Sequence, residues 1–209
     1  DSRLLSIKSG SFIILDAHQG TAVVDPQPDI REHYKNLAIQ HGKKKVPRVR
    51  EKTITRDGHP VRILANINLL SDIVIARRMK AAGVGLYRSE FPFLVRNELP
   101  SEEEQYRVYR KVLEEMEGKE VTFRTLDIGG DKMLSYLSGA TEPNPFLGLR
   151  AIRFSLQNRD IFSTQLRAML RAGTGHSLRI MFPLIASLDD FIDVSDIVRE
   201  NINALEADG

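Results

Sequence analysis

Apolar residues change their spacing along this chain, and the changes divide it. Over residues 11–25 β-formers alternate or cluster in Ser11-Phe12-Ile13-Ile14-Leu15-Asp16 and Thr21-Ala22-Val23-Val24-Asp25, with the turn signal Ala17-His18-Gln19-Gly20 between them. This predicts a hairpin, ended by Pro26 and Pro28. Two strands are not stable alone, so the hairpin is expected to dock on something or to be the tail of a domain. From Asp29, a candidate N-cap, the stripe Ile30, Tyr34, Leu37 and Ala38 predicts a helix. Thr53-Ile54-Thr55 and Val61–Asn66 then flank Arg56-Asp57-Gly58-His59-Pro60, and the Asp-Gly pair predicts a second hairpin.

From about residue 61 strand and helix alternate four times. The strands are Val61–Asn66, Val84–Tyr87, Val121–Leu126 and Leu178–Phe182. The first helix carries Ile73, Val74, Ala76 and Met79, capped by Ser71 or Asn68. The second opens on the capping box Ser101…Glu104 and buries Tyr106, Tyr109, Val112, Leu113 and Met116. Residues 146–169 read as two helices broken near Asn158-Arg159-Asp160. Ser187 with Asp190 opens the last, which contains Phe191, Val194, Ile197, Val198 and Ile202. Four strand–helix units predict parallel strands with crossover helices, in an open doubly wound sheet or half of an eight-unit barrel. Its unpaired edges would fall near Val61–Asn66 and Leu178–Phe182.

Composition narrows the function classes. Thirty basic and 28 acidic residues leave a net charge of +2, which does not call for nucleic acid or an anionic membrane. There is no cysteine, so no disulfide framework, thiol nucleophile or thiolate metal site, which fits a reducing, cytoplasmic setting. No apolar run is long enough to span a membrane. The basic run Lys43, Lys44, Lys45, Arg48, Arg50 and Lys52 reads first as a solvated helix end and linker. The five histidines are scattered, and no carboxylate pair has convincing metal-site spacing.

Parallel α/β sheets gather ligands at the carboxyl ends of their strands. Asn66, Arg88 and Arg124 all fall there. A guanidinium is always charged and offers a planar fork of donors suited to phosphate or carboxylate. Two forks on one rim would hold a small dianion. The plainer reading stays open: Arg88 near Glu90, and Arg124 near Asp127, each also read as a local salt bridge. Gly83-Val84-Gly85 lacks the rest of a dinucleotide fingerprint. Gly129-Gly130-Asp131-Lys132 reads as a loop turn or a phosphate cradle, and Arg150 with Arg153 as an exposed basic face.

Together these patches resemble a known family. Gly83-Val84-Gly85-Leu86-Tyr87-Arg88-Ser89-Glu90-Phe91 is similar to a signature of enzyme I, the phosphoenolpyruvate–protein phosphotransferase of the bacterial sugar phosphotransferase system. Pro100–Gln105, Arg124–Lys132, Asn144–Arg153, Gln165–Ala172 and Arg179–Pro183 resemble its further signatures, in order, over residues 53–200. Asn66–Asp72 and Phe91-Pro92-Phe93 look more like the nitrogen-regulatory branch.

The resemblance implies the N-terminal half of a phosphoenolpyruvate-binding (β/α)₈ (TIM) barrel over residues 53–209. A linker helix and basic linker would precede it over 29–52, and residues 1–28 would be the remnant of a phosphohistidine swivelling domain. It implies that Arg88 and Arg124 grip the phosphate, supported by Arg150, Lys132 and Asn66. Ser89, where the sugar branch usually has Thr, keeps a hydroxyl. The phosphoacceptor histidine, the acid cysteine and the Mg²⁺ ligands are expected outside this chain, so the chain itself is expected to be inactive. The implied partners are phosphoenolpyruvate, a histidine phosphocarrier protein and, in the full-length protein, a second copy as homodimer. The alternatives are a pyruvate phosphate dikinase or phosphoenolpyruvate synthase piece, and a non-catalytic anion-binding module.

Overall fold

The computed structural model describes residues 7–17, 19–42, 49, 52–129 and 148–208. The chain forms two compact units, Asp1–Arg48 and Val49–Gly209. The expectations on the basic run, Lys52 apart, on His18 and on Gly130–Leu147 lie outside the described residues.

In the first unit, β1 (Ile13–Asp16) pairs antiparallel with β2 (Thr21–Val24), as the alternation predicts. Asp25 closes the hairpin: its carboxylate accepts from the Phe12 N–H at 2.8 Å, and its own N–H donates to the Phe12 carbonyl at 2.7 Å. Helix α1 (Pro28–Gly42) begins at Pro28 itself, because a proline in the first helical turn loses no hydrogen bond. Ile30, Tyr34 and Leu37 are half-buried, whereas Ala38 is exposed. Arg31 lies 4.4 Å over the Phe12 ring and joins helix to hairpin.

The second unit opens with the hairpin β3 (Thr53–Ile54) and β4 (Pro60–Val61). The single strand expected over Val61–Asn66 is two strands. Its first residue pairs in this hairpin, and its last two belong to β5 (Ala65–Ile67). Next come α2 (Leu70–Arg78), β6 (Val84–Arg88), α3 (Phe91–Leu94), α4 (Glu102–Glu115), β7 (Val121–Arg124), α5 (Ile152–Gln157), α6 (Arg159–Gly173), β8 (Leu178–Met181) and α7 (Leu188–Asp208). The break between α5 and α6 falls at Asn158, as the sequence predicts.

Strands β5 to β8 form one parallel sheet in sequential order, with β5 and β8 outermost. The helices that follow β5, β6 and β7 share one core cluster. Ile73 and Ala76 of α2, Tyr109, Val112 and Leu113 of α4, and Ala168, Met169 and Ala172 of α6 pack on Val84, Tyr87, Val121 and Phe123. A second cluster seats α7 through Val194 and Ile197 against Phe162 and Leu166. Val74 and Met79 of the expected α2 stripe are exposed. The α2 cap is neither Ser71 nor Asn68. The Asp72 carboxylate reaches back to accept from the N–H groups of Asn68 and Leu69, each at 2.9 Å.

The Ser101 capping box forms as predicted, with the Glu104 N–H donating to Ser101 Oγ at 3.3 Å and the Ser101 N–H to Glu104 Oε2 at 2.9 Å. The Arg96 guanidinium, followed by the Ser101 N–H and hydroxyl, holds the Glu104 carboxyl down at about 2. A folded value below the unfolded one, about 4.3, gives stability that is complete above the unfolded value. That stability is lost as pH falls through about 2. Glu104→Gln is therefore expected to lower the urea midpoint at pH 6 and to converge with the parent near pH 2. Equal midpoints at pH 6 would contradict this.

Candidate anion-binding site

The parallel register brings two arginines together. Arg88 closes β6, Arg124 closes β7, and the two are partners across the ladder. Neighbouring strands lie about 4.8 Å apart, and residues in register project to the same face. The stretch before Arg88 has small residues for a packing reason. A Cβ on Gly83 would sit 2.6 Å from the Glu120 carbonyl oxygen, and one on Gly85 would sit 2.9 Å from Leu64 Cβ. These glycines admit neighbouring chain, so Gly83-Val84-Gly85 needs no nucleotide to explain it.

Asn66 is exposed in β5 and pairs with Leu86, two residues short of the level of Arg88. Arg150 arrives through an isolated bridge with Gly129. Lys132 lies outside the described residues.

Arg124 sits in a chain of charge. Its Nη2 donates to Glu90 Oε1 at 2.5 Å, and its Nη1 lies 3.2 Å from Asp127 Oδ2. Arg150 Nε donates to Asp127 Oδ1 at 2.9 Å. The Glu90 and Asp127 side chains are only 6% and 10% exposed, so each needs its cation to offset the cost of burying a carboxylate. The salt-bridge reading therefore holds for Arg124 with Asp127 but not for Arg88 with Glu90: Glu90 reaches across to Arg124 instead. Arg88 is exposed, and among the described residues its guanidinium makes no ion pair or hydrogen bond. Among the described residues, one buried donor of Arg124, Nε, also has no partner, nor does the buried hydroxyl of Thr125. Among the described residues of the rim, the two carboxylates and two guanidiniums cancel, and Arg88 adds a positive charge. The rim suits an anion.

Behind the rim lies a polar seam that the sequence reading did not pick out. Gln165 of α6 accepts from the Leu126 N–H at 2.8 Å and donates to Ser89 Oγ at 3.0 Å and to Tyr109 OH at 3.2 Å. The Ser89 hydroxyl donates to the Arg124 carbonyl at 2.7 Å. Tyr109 donates to Gln105 at 3.1 Å, and Gln105 to the Pro100 carbonyl at 3.0 Å. Burial pushes the Tyr109 phenol well up, so it stays a neutral donor. The available signal was a polar side chain inside an apolar helical stripe: Gln165 between Phe162 and Leu166, and Gln105 one turn before Tyr109.

Residues 43–209 match the family model described as PEP-utilising enzyme, PEP-binding domain. The chain belongs to the PEP-utilising enzyme family. It is 45% identical over 206 residues to a phosphoenolpyruvate-protein phosphotransferase of Geobacillus stearothermophilus, an alignment covering 97% of this chain and 36% of that protein. It is 43% identical over 198 residues to the protein of that name from Bacillus subtilis (strain 168), covering 93% and 35%. The Staphylococcus aureus (strain MSSA476) protein is 43% identical over 206 residues, covering 97% and 36%. The chain thus spans little more than a third of these curated relatives. The PEP-binding domain match contains every rim residue described above.

Among the described residues, no group of three or more His, Asp or Glu could hold a metal ion. The rim carboxylates Glu90 and Asp127 are engaged by arginine, so these residues do not form a fit for Mg²⁺. No described helix is long and apolar enough to cross a membrane.

Proposed function

We propose that this domain grips the phosphate of phosphoenolpyruvate with Arg88 and Arg124. The observation that carries the reading is their register at the carboxyl ends of adjacent parallel strands, where, among the described residues, Arg88 is unpaired and the buried Arg124 Nε has no partner. Arg88 would meet the incoming dianion first. Arg124, oriented by Glu90 and Asp127, would present a guanidinium whose direction is already set, which lowers the entropy lost on binding. Arg150 supports it by sharing Asp127.

Phosphoenolpyruvate is the expected substrate of a PEP-binding domain. The similarity to phosphoenolpyruvate-protein phosphotransferases supports a parent that moves phosphate from phosphoenolpyruvate to its own histidine and then to a histidine phosphocarrier protein. A sequential sheet with its crossover helices on one face supports the opening half of a (β/α)₈ barrel over a doubly wound sheet, which carries helices on both faces. Mg²⁺, the acceptor histidine and homodimer contacts belong to the parent in this reading, with the metal's ligands outside this chain. The chain alone is then expected to form no phosphohistidine with labelled phosphoenolpyruvate.

Arg88→Ala tests the grip. Hydrogen bonds to a charged group contribute about 1.5–3 kcal/mol, so affinity for phosphoenolpyruvate should fall about 10- to 100-fold. The urea midpoint should not change, because Arg88 is exposed and makes no ion pair among the described residues. Calorimetry showing unchanged affinity would overturn the assignment.

A further inference from the structure

The geometry points to Gln165 as the residue that positions the phosphate-gripping arginines, acting on the backbone at the carboxyl ends of β6 and β7. This deepens the proposed phosphate site and rests on that reading for its functional consequence.

The hydrogen bonds allow only one orientation of the Gln165 amide. The Leu126 N–H can only donate, so Oε1 must face it. Both protons of Nε2 are then directed, one to Ser89 Oγ and one to Tyr109 OH. Ser89 accepts from Gln165 and spends its own proton on the Arg124 carbonyl. Tyr109 accepts from Gln165 and spends its proton on Gln105, which is anchored on the Pro100 carbonyl. Each polar proton of Gln165, Ser89 and Tyr109 has one place to go, and Gln165, Ser89, Gln105 and Tyr109 are all buried. A buried polar network satisfied in this way is rigid.

What it holds is the peptide backbone on either side of the two arginines. Ser89 follows Arg88 directly. The Arg124 carbonyl and the Leu126 N–H bracket the end of β7. The Thr125 N–H completes the clamp on β8, donating to the Met181 carbonyl at 3.0 Å. Gln165 thus fixes the end of β6 relative to β7 without approaching the ligand. The Ser89 hydroxyl is the link, accepting from Gln165 and donating to the Arg124 carbonyl, and a threonine would supply the same hydroxyl.

The test uses the 209-residue chain and phosphoenolpyruvate as probe. Gln165→Glu keeps the acceptor for Leu126 and cannot supply both donors; Gln165→Met removes all three bonds. Misplacing a positioned group by about 1 Å costs on the order of 100-fold, and a partly relaxed rim should lose about tenfold in affinity. In unliganded protein, the Arg124 Nε and Leu126 amide resonances should shift in both variants. Ser89→Thr should keep parental affinity and resonances, whereas Ser89→Ala should lose them as Gln165→Glu does. Rescue by the hydroxyl separates positioning from general loss of packing.

If Gln165→Glu and Ser89→Ala remain folded, bind like the parent and leave the Arg124 resonance unmoved, the inference is overturned. If the Gln165 variants do not fold, the Ser89 pair decides it. A parent that binds neither phosphoenolpyruvate nor inorganic phosphate ends the phosphate reading, and the Arg124 resonance then decides positioning alone.

Discussion

Arg124→Ala is expected to destabilise the second unit by about 3–5 kcal/mol, the usual cost of removing one partner from a buried ion pair, and to abolish phosphoenolpyruvate binding. Arg124 is the only cation that an ion pair places on Glu90 among the described residues, and Asp127 would lose one cation while keeping Arg150. With Glu90 only 6% exposed, its uncompensated charge cannot be recovered by water without opening the end of β6. Adding Glu90→Gln to Arg124→Ala should restore part of the lost stability, because the stranded charge is then gone. It should restore no binding. Urea unfolding and calorimetry read the two effects separately. A variant as stable as the parent would mean that the pair is solvated in solution, and a binding-competent variant would remove Arg124 from the grip.

Gly129→Ala is expected to detach Arg150. Gly129 has φ +129°, a region that side-chain-bearing residues rarely enter. An added Cβ would lie 2.3 Å from the Leu149 carbonyl oxygen and 2.7 Å from Arg150 Cα, both backbone atoms that no rotamer change can move aside. Strained backbone of this kind costs about 1–3 kcal/mol. The expected relief is to open the Gly129–Arg150 bridge and carry Arg150 away from Asp127. The urea midpoint should fall, and phosphoenolpyruvate affinity should drop several-fold rather than vanish, since Arg88 and Arg124 keep their strands. A parental midpoint together with an intact Arg150 resonance would contradict this.

The elements that depend on local pattern were legible in the sequence. The alternation around Phe12 to Val24, the Ser101…Glu104 box and the stop at Asn158 each involve residues a few positions apart. The pairing of Arg88 with Arg124 was also within reach, because both close apolar strand runs. What escaped depends on distant contacts. Glu90 reads as a neighbour of Arg88, yet it pairs with Arg124, 34 positions away. Gln165 reads as a blemish on an apolar stripe, yet it bonds to Ser89, 76 positions away. Val61–Asn66 reads as one strand because its composition is uniform. It divides because its start pairs with β3 and its end with β6. Helix α3 was missed because four residues with a proline carry too little periodicity.

The central claim is that Arg88 and Arg124 together take the phosphate of phosphoenolpyruvate. The most direct measurement follows the guanidinium Nε resonances of both arginines while the chain is titrated with phosphoenolpyruvate, inorganic phosphate and pyruvate in turn. Both resonances should move along one saturation curve with phosphoenolpyruvate, move with phosphate at higher concentration, and stay still with pyruvate. Saturable phosphoenolpyruvate binding that leaves Arg88 and Arg124 unmoved would contradict the claim.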